Sequence, residues 1–255
     1  MKVVILAGGL GTRLAEETIL KPKPMIEIGG MPIIWHIMKH YAKYGFNDFI
    51  ICGGYKVFEI KDYFSDFYKK FGNMYVDFSN NLIEYENTEK IDWKIRILDT
   101  GYDSTTSNRL VQAANFINDE DFLLTYGDGV SDVNIVKLIN AHMNSEKLAT
   151  LTAVKPSGRF GALTLHGDKV TGFSEKIDNI DSWVNGGFFV INKKAIKFIE
   201  DKDVSWEMGA LPRLAHAQEL NAFKHEGFWA SMDTLRDKDH LNQLWNSGNA
   251  AWKTW

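Results

Sequence analysis

The sequence predicts an α/β fold: a Rossmann-like open sheet, mixed but mostly parallel, flanked by helices and carrying a small β insertion. The first observation behind this prediction is the alternation of short apolar runs with amphipathic helical patterns, which is typical of βαβ units. The second is a glycine-rich loop directly after the first apolar run. The expected strands are 2–7, 48–52, 121–126, 148–154 and 186–191, and the expected helices are 33–44, 56–69, 108–117 and 234–247.

The first strand and the loop after it indicate a site for nucleotide phosphates. Within the expected strand 2–7, residues 3–7 are apolar and the first three of them are β-branched, as in a buried parallel strand. Gly8-Gly9-Leu10-Gly11-Thr12-Arg13 follows directly. Glycines lack Cβ atoms and therefore let backbone amides approach a phosphate. Arg13 adds a planar, permanently charged group that matches phosphate oxygens. The alternative is a glycine turn that serves only packing.

Two commoner phosphate loops do not fit this sequence. A P-loop requires a Lys followed by Ser or Thr after its last glycine, and no such pair is present there. A Rossmann dinucleotide fingerprint requires Gly or Ala where Leu14 stands. It also requires an acidic residue about twenty positions later at the end of a second strand, where the helix 33–44 is expected. A nicotinamide-dependent reductase is therefore a weaker alternative.

Composition and charge limit the function classes. The chain has 255 residues and a formal net charge of −4, so it lacks the basic field that nucleic acid requires. A single cysteine, Cys52, fits a reducing compartment. No apolar run approaches the roughly 18 residues that span a bilayer, and no signal peptide is recognisable. We expect one domain over 1–255 in the cytoplasm, without nucleic-acid or membrane partners.

Three further regions have recognisable patterns. Residues 161–173 alternate around a Gly-Asp turn and predict an antiparallel hairpin. Residues 74–98 contain aromatic residues in short extended pieces, and we expect a small β lobe there at a subunit contact. The tail 248–255 carries Trp252 and Trp255. Exposed tryptophans are unfavourable, so we expect this tail to dock on the chain itself or on a neighbour.

The segment Lys21-Pro22-Lys23-Pro24 is the second functional signal. Prolines on both sides of Lys23 should hold the segment extended, which reduces the entropy that the lysine loses on binding a phosphate. The alternative is a pair of solvated surface lysines. The position shortly after the glycine loop favours phosphate binding.

Asp128 and Asp233 are the carboxylates that we expect to hold Mg²⁺. Asp128 lies between glycines at the end of an apolar strand, where open α/β sheets bind ligands. Two carboxylates together with phosphate oxygens suit this hard cation. The alternative for Asp233 is a helix N-cap. Zinc at His36 and His40, four residues apart on one helix, is a weaker hypothesis because no suitable carboxylate lies between them.

Glu175-Lys176 is a candidate for contacts to a sugar phosphate. A Glu accepts bidentate hydrogen bonds from sugar hydroxyls, and an adjacent Lys can meet a phosphate. Taken alone, the two residues would be an ordinary solvated ion pair. Their occurrence together with the other motifs favours the sugar-phosphate role.

These motifs together resemble the sugar-phosphate nucleotidyltransferase family, whose opening loop reads Gly-Gly-x-Gly-Thr-Arg-Leu. The resemblance covers 6–14, 21–25, 35–39, 125–130, 158–163, 183–190, 227–229, 232–238 and 252–255, and the last two segments point to the cytidylyl branch. It implies transfer of a cytidylyl group from CTP to α-D-glucose 1-phosphate with Mg²⁺, giving CDP-glucose and pyrophosphate. It also implies a homo-oligomer, a hexamer, whose product feeds dideoxy-sugar synthesis for the O-antigen of bacterial lipopolysaccharide.

The resemblance also implies roles for individual residues. The nucleotide phosphates would be held by Leu6, Ala7, Gly8, Gly9, Leu10, Gly11, Thr12, Arg13 and Lys23, and the base by Ser104, Thr106 and Arg109. The sugar phosphate would be held by Gly161, Glu175, Lys176 and Asn185, and Mg²⁺ by Asp128 and Asp233. Arg13, Lys23 and Asp128 would be catalytic. Ser107-Asn108 stand where the family pattern has two glycines.

Two other functions use the same motifs. A uridylyl- or thymidylyltransferase acting on a hexose 1-phosphate would need the same phosphate and metal groups, because a few hydrogen bonds decide the choice of base. A catalytically silent sugar-nucleotide sensor is the second alternative. Such a sensor has no need to keep the carboxylate pair together with Arg13 and Lys23.

Overall fold

The structure is a computed structural model, and it describes residues 1–11, 14–86, 91–155, 162–166, 169–174 and 183–255. The strands are β1 (Val3–Ala7), β2 (Glu27–Ile28), β3 (Met31–Pro32), β4 (Asp48–Gly53), β5 (Asn73–Asp77), β6 (Leu82–Glu86), β7 (Lys94–Asp99), β8 (Asp121–Tyr126), β9 (Gly129–Ser131), β10 (Ala149–Val154), β11 (Ala162–His166), β12 (Lys169–Ser174), β13 (Val184–Asn192), β14 (Leu220–His225) and β15 (Trp229–Ser231). The helices are α1 (Ala15–Thr18), α2 (Ile33–Lys43), α3 (Val57–Ser65), α4 (Phe67–Phe71), α5 (Thr106–Ala114), α6 (Ile135–Ser145), α7 (Ala210–His216) and α8 (Leu235–Asn246). 3-10 turns cover Lys23–Met25 and Lys193–Phe198.

Within the described residues, seven strands form the central sheet in the order β14-β10-β13-β8-β1-β4-β7. Strand β1 pairs in parallel with β4 and β8, β4 with β7, and β10 with β14. Strand β13 runs antiparallel to both of its neighbours. The sheet is therefore mixed and mostly parallel, as the sequence predicts.

The sheet separates two hydrophobic cores because successive side chains of a strand point to opposite faces. On β1, Val3 and Ile5 belong to one core and Val4 and Leu6 to the other. The first core is covered by α2, α3, α6 and α8, and the second by α5 and α7. Both faces of the strands are buried, which explains their continuous apolar sequences.

Several elements differ from the prediction in extent. The helix expected over 56–69 is two helices, α3 and α4, and the helix expected over 108–117 begins at Thr106. The predicted lobe 74–98 is shorter, because β5 and β6 form a separate hairpin while β7 is the edge strand of the central sheet. The expected antiparallel pairing within 161–173 is confirmed for β11 and β12. No described helix is long and apolar enough to cross a membrane.

The C-terminal tail packs on the body of the chain. Trp252 is buried, stacks on Phe228 at a centroid distance of 5.4 Å, and donates its indole N–H to His36 Nδ1 at 3.4 Å. The Trp255 ring lies 5.9 Å from that of Trp35, edge to face. These contacts fasten the tail to α2.

His36 and His40 bind backbone carbonyls. His36 Nε2 donates to Ile28 O at 2.8 Å, and His40 Nε2 donates to Val133 O at 2.9 Å. Burial lowers the pKa of both imidazoles to about 4. Both rings are therefore neutral at pH 7, and they connect α2 to neighbouring loops.

These two histidines predict a loss of stability in mild acid. In the unfolded chain both titrate near pH 6.5, so below this pH the unfolded state takes up protons that the folded state does not. Stability should fall as the pH drops from about 6.5 to about 4, by of the order of 2 kcal/mol per histidine at pH 5. The measurement is the free energy of unfolding in urea at pH 7.5 and pH 5.0, followed by tryptophan fluorescence.

Two variants isolate the effect. His40→Gln keeps a donor for Val133 O but does not titrate, so its stability should depend less on pH. His216→Gln removes an exposed histidine and should match the unmodified chain. Equal pH dependence in the chain and in His40→Gln would contradict the prediction.

Candidate active site

The candidate site lies at the edge of the sheet where the parallel strands end. The carboxyl ends of β1, β4, β7 and β8 meet at this edge. Because β13 is antiparallel, its first residues, including Asn185, lie at the same edge. From β1 the chain continues to β4 and β7 on one side of β1, and it then crosses to β8 on the other side. This is the switch point where open α/β sheets bind ligands.

The glycine loop leaves β1 at this edge. Gly11 has φ +63°, a left-handed conformation that favours glycine, and its carbonyl accepts from Leu14 N at 2.9 Å. A Cβ on Gly8 would lie 2.1 Å from Arg109 Cζ, so the close approach of this guanidinium requires glycine. Gly9 and Leu10 are exposed. Thr12 and Arg13 lie outside the described residues.

Arg109 is buried beneath the glycine loop. Its Nη2 donates to Gly8 O at 2.9 Å, and its Nη1 donates to Gly53 O at 2.8 Å and to Gly101 O at 3.1 Å. The guanidinium thus ties the loop after β1 to the ends of β4 and β7. Burial lowers the pKa of Arg109 from its usual value. Arg109, which the family resemblance assigns to the nucleotide base, thus holds the glycine loop in place.

Lys23 lies between the two predicted metal-binding carboxylates. Its Nζ donates to Asp128 Oδ2 at 2.6 Å and to Asp233 Oδ1 at 2.7 Å. Burial by itself lowers the pKa of Lys23, but the two carboxylates outweigh it and the net pKa is raised. The ammonium therefore stays charged. Pro22 has the extended backbone that the sequence predicts, but Lys23 itself begins a 3-10 turn.

A short antiparallel ribbon brings Asp233 to Asp128. Strand β15 pairs with β9, and beyond this pairing Met232 N donates to Asp128 O at 2.8 Å. Asp233 is not the helix N-cap. That role belongs to Thr234, which forms a capping box with Asp237 at the start of α8. The alternative weighed for Asp233 is therefore wrong, and its carboxylate accepts from Lys23 and from Ser231 Oγ at 2.9 Å.

The two aspartates fit a magnesium ion. Their oxygens converge on one cationic nitrogen, so they can approach a common cation, and oxygen is the ligand atom that Mg²⁺ prefers. Among the described residues, no group of three or more His, Cys, Asp or Glu side chains could hold a metal. Mg²⁺ held by two carboxylates keeps positions for phosphate oxygens and water.

The other predicted base contacts, Ser104 and Thr106, lie at the start of α5. Ser104 Oγ donates to Thr100 O and accepts from Asn108 Nδ2 at 3.2 Å. Thr106 Oγ1 donates to Glu207 Oε2 at 2.8 Å. Both hydroxyls are therefore oriented by the protein. Asn108, which stands where the family pattern has glycine, takes part in this orientation.

Asn185 is the sugar-phosphate candidate that the structure describes; Gly161, Glu175 and Lys176 lie outside the described residues. Asn185 Oδ1 accepts from Gly187 N at 2.9 Å, and its Nδ2 donates to the Tyr126 hydroxyl at 3.3 Å. Tyr126 in turn donates to Glu207 Oε1 at 2.6 Å. Sequence reasoning assigned no role to Tyr126 or Glu207. Tyr126 lies next to Gly127-Asp128, which was the available signal, whereas Glu207 belongs to no motif.

Comparison with known proteins identifies the family. The nucleotidyl transferase family matches residues 2–237. The chain is 49% identical over 256 residues to the glucose-1-phosphate cytidylyltransferase of Salmonella typhimurium, and the alignment covers 100% of both chains.

Solved structures agree in fold. The inositol-1-phosphate CTP transferase of T. maritima is similar with a TM-score of 0.65 at 15% identity, covering 99% of this chain and 96% of that one. The CTP:phosphocholine cytidylyltransferase LicC of Streptococcus pneumoniae has a TM-score of 0.61 at 19% identity, covering 96% and 98%. The expectation from the motifs is confirmed, and the chain belongs to the nucleotidyl transferase family.

Proposed function

We propose that this protein transfers a cytidylyl group from CTP to α-D-glucose 1-phosphate, giving CDP-glucose and pyrophosphate. The observation that carries the proposal is the convergence of Lys23, Asp128 and Asp233 beside a glycine loop at the switch point of the sheet. Such a site suits a reaction in which highly charged phosphates must be held together. The choice of CTP and glucose 1-phosphate is supported by the full-length likeness to the Salmonella enzyme.

The reaction requires alignment and charge neutralisation. A phosphate oxygen of the sugar phosphate attacks the α-phosphorus of CTP in line, a bond to phosphorus forms, and the bond to the departing pyrophosphate breaks. No covalent enzyme intermediate is needed. Arg13 and Lys23 neutralise the charge on five-coordinate phosphorus, and the glycine-loop amides bind the nucleotide phosphates. Mg²⁺, when held by Asp128 and Asp233, supplies further positive charge to the phosphates.

Different residues of the site are assigned to the two substrates. Ser104, Thr106 and Arg109, at the start of α5, form the base side. Asn185 forms the sugar side; the family resemblance also assigns sugar-phosphate binding to Gly161, Glu175 and Lys176, with Lys176 positioning the attacking phosphate. Neighbouring side chains hold Thr106 and Asn185 by hydrogen bonds. These contacts support the assignment of both residues to the binding site.

We place the enzyme in the cytoplasm as a homo-oligomer, a hexamer by family resemblance. The hairpin β5–β6 supports a subunit contact, because it presents apolar side chains such as Phe78, which is 89% exposed, together with Met74 and Ile83. A buried free Cys52 fits a reducing compartment. The proposed product, CDP-glucose, would feed dideoxy-sugar synthesis for lipopolysaccharide O-antigen.

A nucleotide panel tests the reaction directly. Pyrophosphate release is measured with glucose 1-phosphate and Mg²⁺, offering CTP, UTP, dTTP, GTP and ATP separately. We expect release with CTP and little with the others. Preference for UTP or dTTP would keep the mechanism but change the base specificity. The residues responsible would then be Ser107-Asn108 in α5. Absence of release with every nucleotide would favour a silent sensor.

Removal of the central charges should slow turnover. Lys23→Ala or Asp128→Ala should lower kcat at saturating CTP by roughly 10²–10³-fold, the scale of removing one preorganised charge contact. Lys21→Ala is the matched control, because Lys21 is half exposed and pairs with Glu27 at 2.7 Å away from the two aspartates. Near-normal turnover in Lys23→Ala and Asp128→Ala would refute the assigned roles.

The hairpin contact predicts a change of assembly. Phe78→Asp places a charge on the exposed apolar face of β5–β6 and should shift the protein to smaller species in sedimentation velocity. Met143→Asp, at a half-exposed position on α6, is the control and should leave the assembly unchanged. An unaltered sedimentation profile for Phe78→Asp would exclude the hairpin as a subunit contact.

A further inference from the structure

Glu207 lies at the centre of a hydrogen-bond network that reaches Asn185 through the Tyr126 hydroxyl. The residue belongs to the segment before α7, and it is partly buried. Its Oε1 accepts from the Tyr126 hydroxyl at 2.6 Å, and its Oε2 accepts from the Thr106 hydroxyl at 2.8 Å. Hydrogen bonds to a carboxylate are stronger than those between neutral groups.

Every proton in the network has a defined direction. The Thr106 hydroxyl accepts from Trp206 N at 2.9 Å, so its own proton is directed to Glu207. The Tyr126 hydroxyl accepts from Asn185 Nδ2 at 3.3 Å, so its proton is also directed to Glu207. The network is therefore fully satisfied around one negative charge. A neutral amide in place of this carboxylate would leave one of the two hydroxyl protons without an acceptor.

At one end, the network fixes Asn185. Its side-chain amide is held by Tyr126 at Nδ2 and by Gly187 N at Oδ1. Gly187 in β13 has φ +78°, and a Cβ there would lie 2.5 Å from Tyr126 Cδ2. The backbone of β13 therefore packs directly against the phenol ring. The orientation of Asn185 thus depends on the position of Tyr126, which depends on Glu207.

At the other end, the network fixes the start of α5. Thr106 is the first residue of this helix and lies on the proposed base side. Tyr126 itself is the last residue of β8, two positions before Asp128. We infer that Glu207 is a positioning residue that holds the sugar side and the base side of the site in register through Tyr126 and Thr106. This inference rests on the proposed function.

The inference predicts a specific kinetic defect. Glu207→Gln keeps the shape of the side chain but offers one acceptor oxygen and one amide, so one of the two hydroxyls loses its partner. Small misplacements of a substrate-binding group are costly for aligned reactions. We expect kcat/KM for glucose 1-phosphate to fall about 10- to 100-fold, mainly through KM.

Tyr126→Phe provides an independent arm of the experiment. It removes the bonds to Glu207 and Asn185 but leaves the Thr106–Glu207 bond, so KM for glucose 1-phosphate should rise while KM for CTP stays within about twofold. In the double variant Tyr126→Phe/Glu207→Gln, the loss should match that of the more impaired single variant, because both act through one network. Tyr126→Phe also carries the test if Glu207→Gln does not fold.

Glu200→Gln is the matched control. Glu200 lies on the same segment and pairs with Arg213 at 3.1 Å on the surface, so both KM values should be unchanged. Equal KM changes for both substrates in Tyr126→Phe accompanied by a lower Tm, or losses that multiply in the double variant, would overturn the inference and leave a structural role. If wild-type enzyme is active with CTP and both single variants match it, the inference alone fails. If wild-type enzyme releases no pyrophosphate, the proposed function fails with it.

Discussion

The ion pairs of Lys23 with Asp128 and Asp233 are the interaction on which the candidate site depends. The lysine is 105 residues from one carboxylate and 210 residues from the other, so three distant segments meet at one nitrogen. Two carboxylates at such close quarters repel each other unless a cation lies between them. The ammonium provides that cation, and its raised pKa keeps it charged. In the proposed reaction, these charges would contact the substrate phosphates and Mg²⁺ in place of one another.

The surrounding fold makes this convergence possible through backbone contacts. Strands β1 and β8 are adjacent, and Gly127 N donates to Leu6 O at 2.9 Å, which sets the glycine loop beside the end of β8. The ribbon of β9 and β15 then delivers Asp233. Because Thr234 caps α8, the carboxylate of Asp233 is not used by the helix. Lys238 Nζ on α8 also donates to Glu17 Oε1 at 2.5 Å and so ties α8 to α1 after the glycine loop.

The sequence predicts the sheet and most of the chemical groups because these signals are local: apolar strands, a glycine loop, and carboxylates at strand ends. It does not predict which groups meet, because that depends on strand order and on the β9–β15 ribbon. The donors of Arg109 are satisfied chiefly by backbone carbonyls, which carry no signature in the sequence. The N-cap alternative for Asp233 can be excluded from the sequence, since Thr234 and Asp237 have the spacing of a capping box. Glu207 was not predictable, because a single carboxylate in a connecting segment has no periodic or motif context.

The end of β8 connects the two charged networks of the site. Tyr126 joins the network of Glu207, Asp128 joins that of Lys23, and Gly127 separates them. A Cβ on Gly127 would lie 3.1 Å from both Leu6 O and Pro24 Cγ, so the chain passes this point in close contact with β1 and with the residue after Lys23. A displacement here would move Tyr126, which bonds to Asn185, and Asp128 together. For a reaction that proceeds by alignment of two phosphates, this rigid junction is the physical basis for holding both substrates in one geometry.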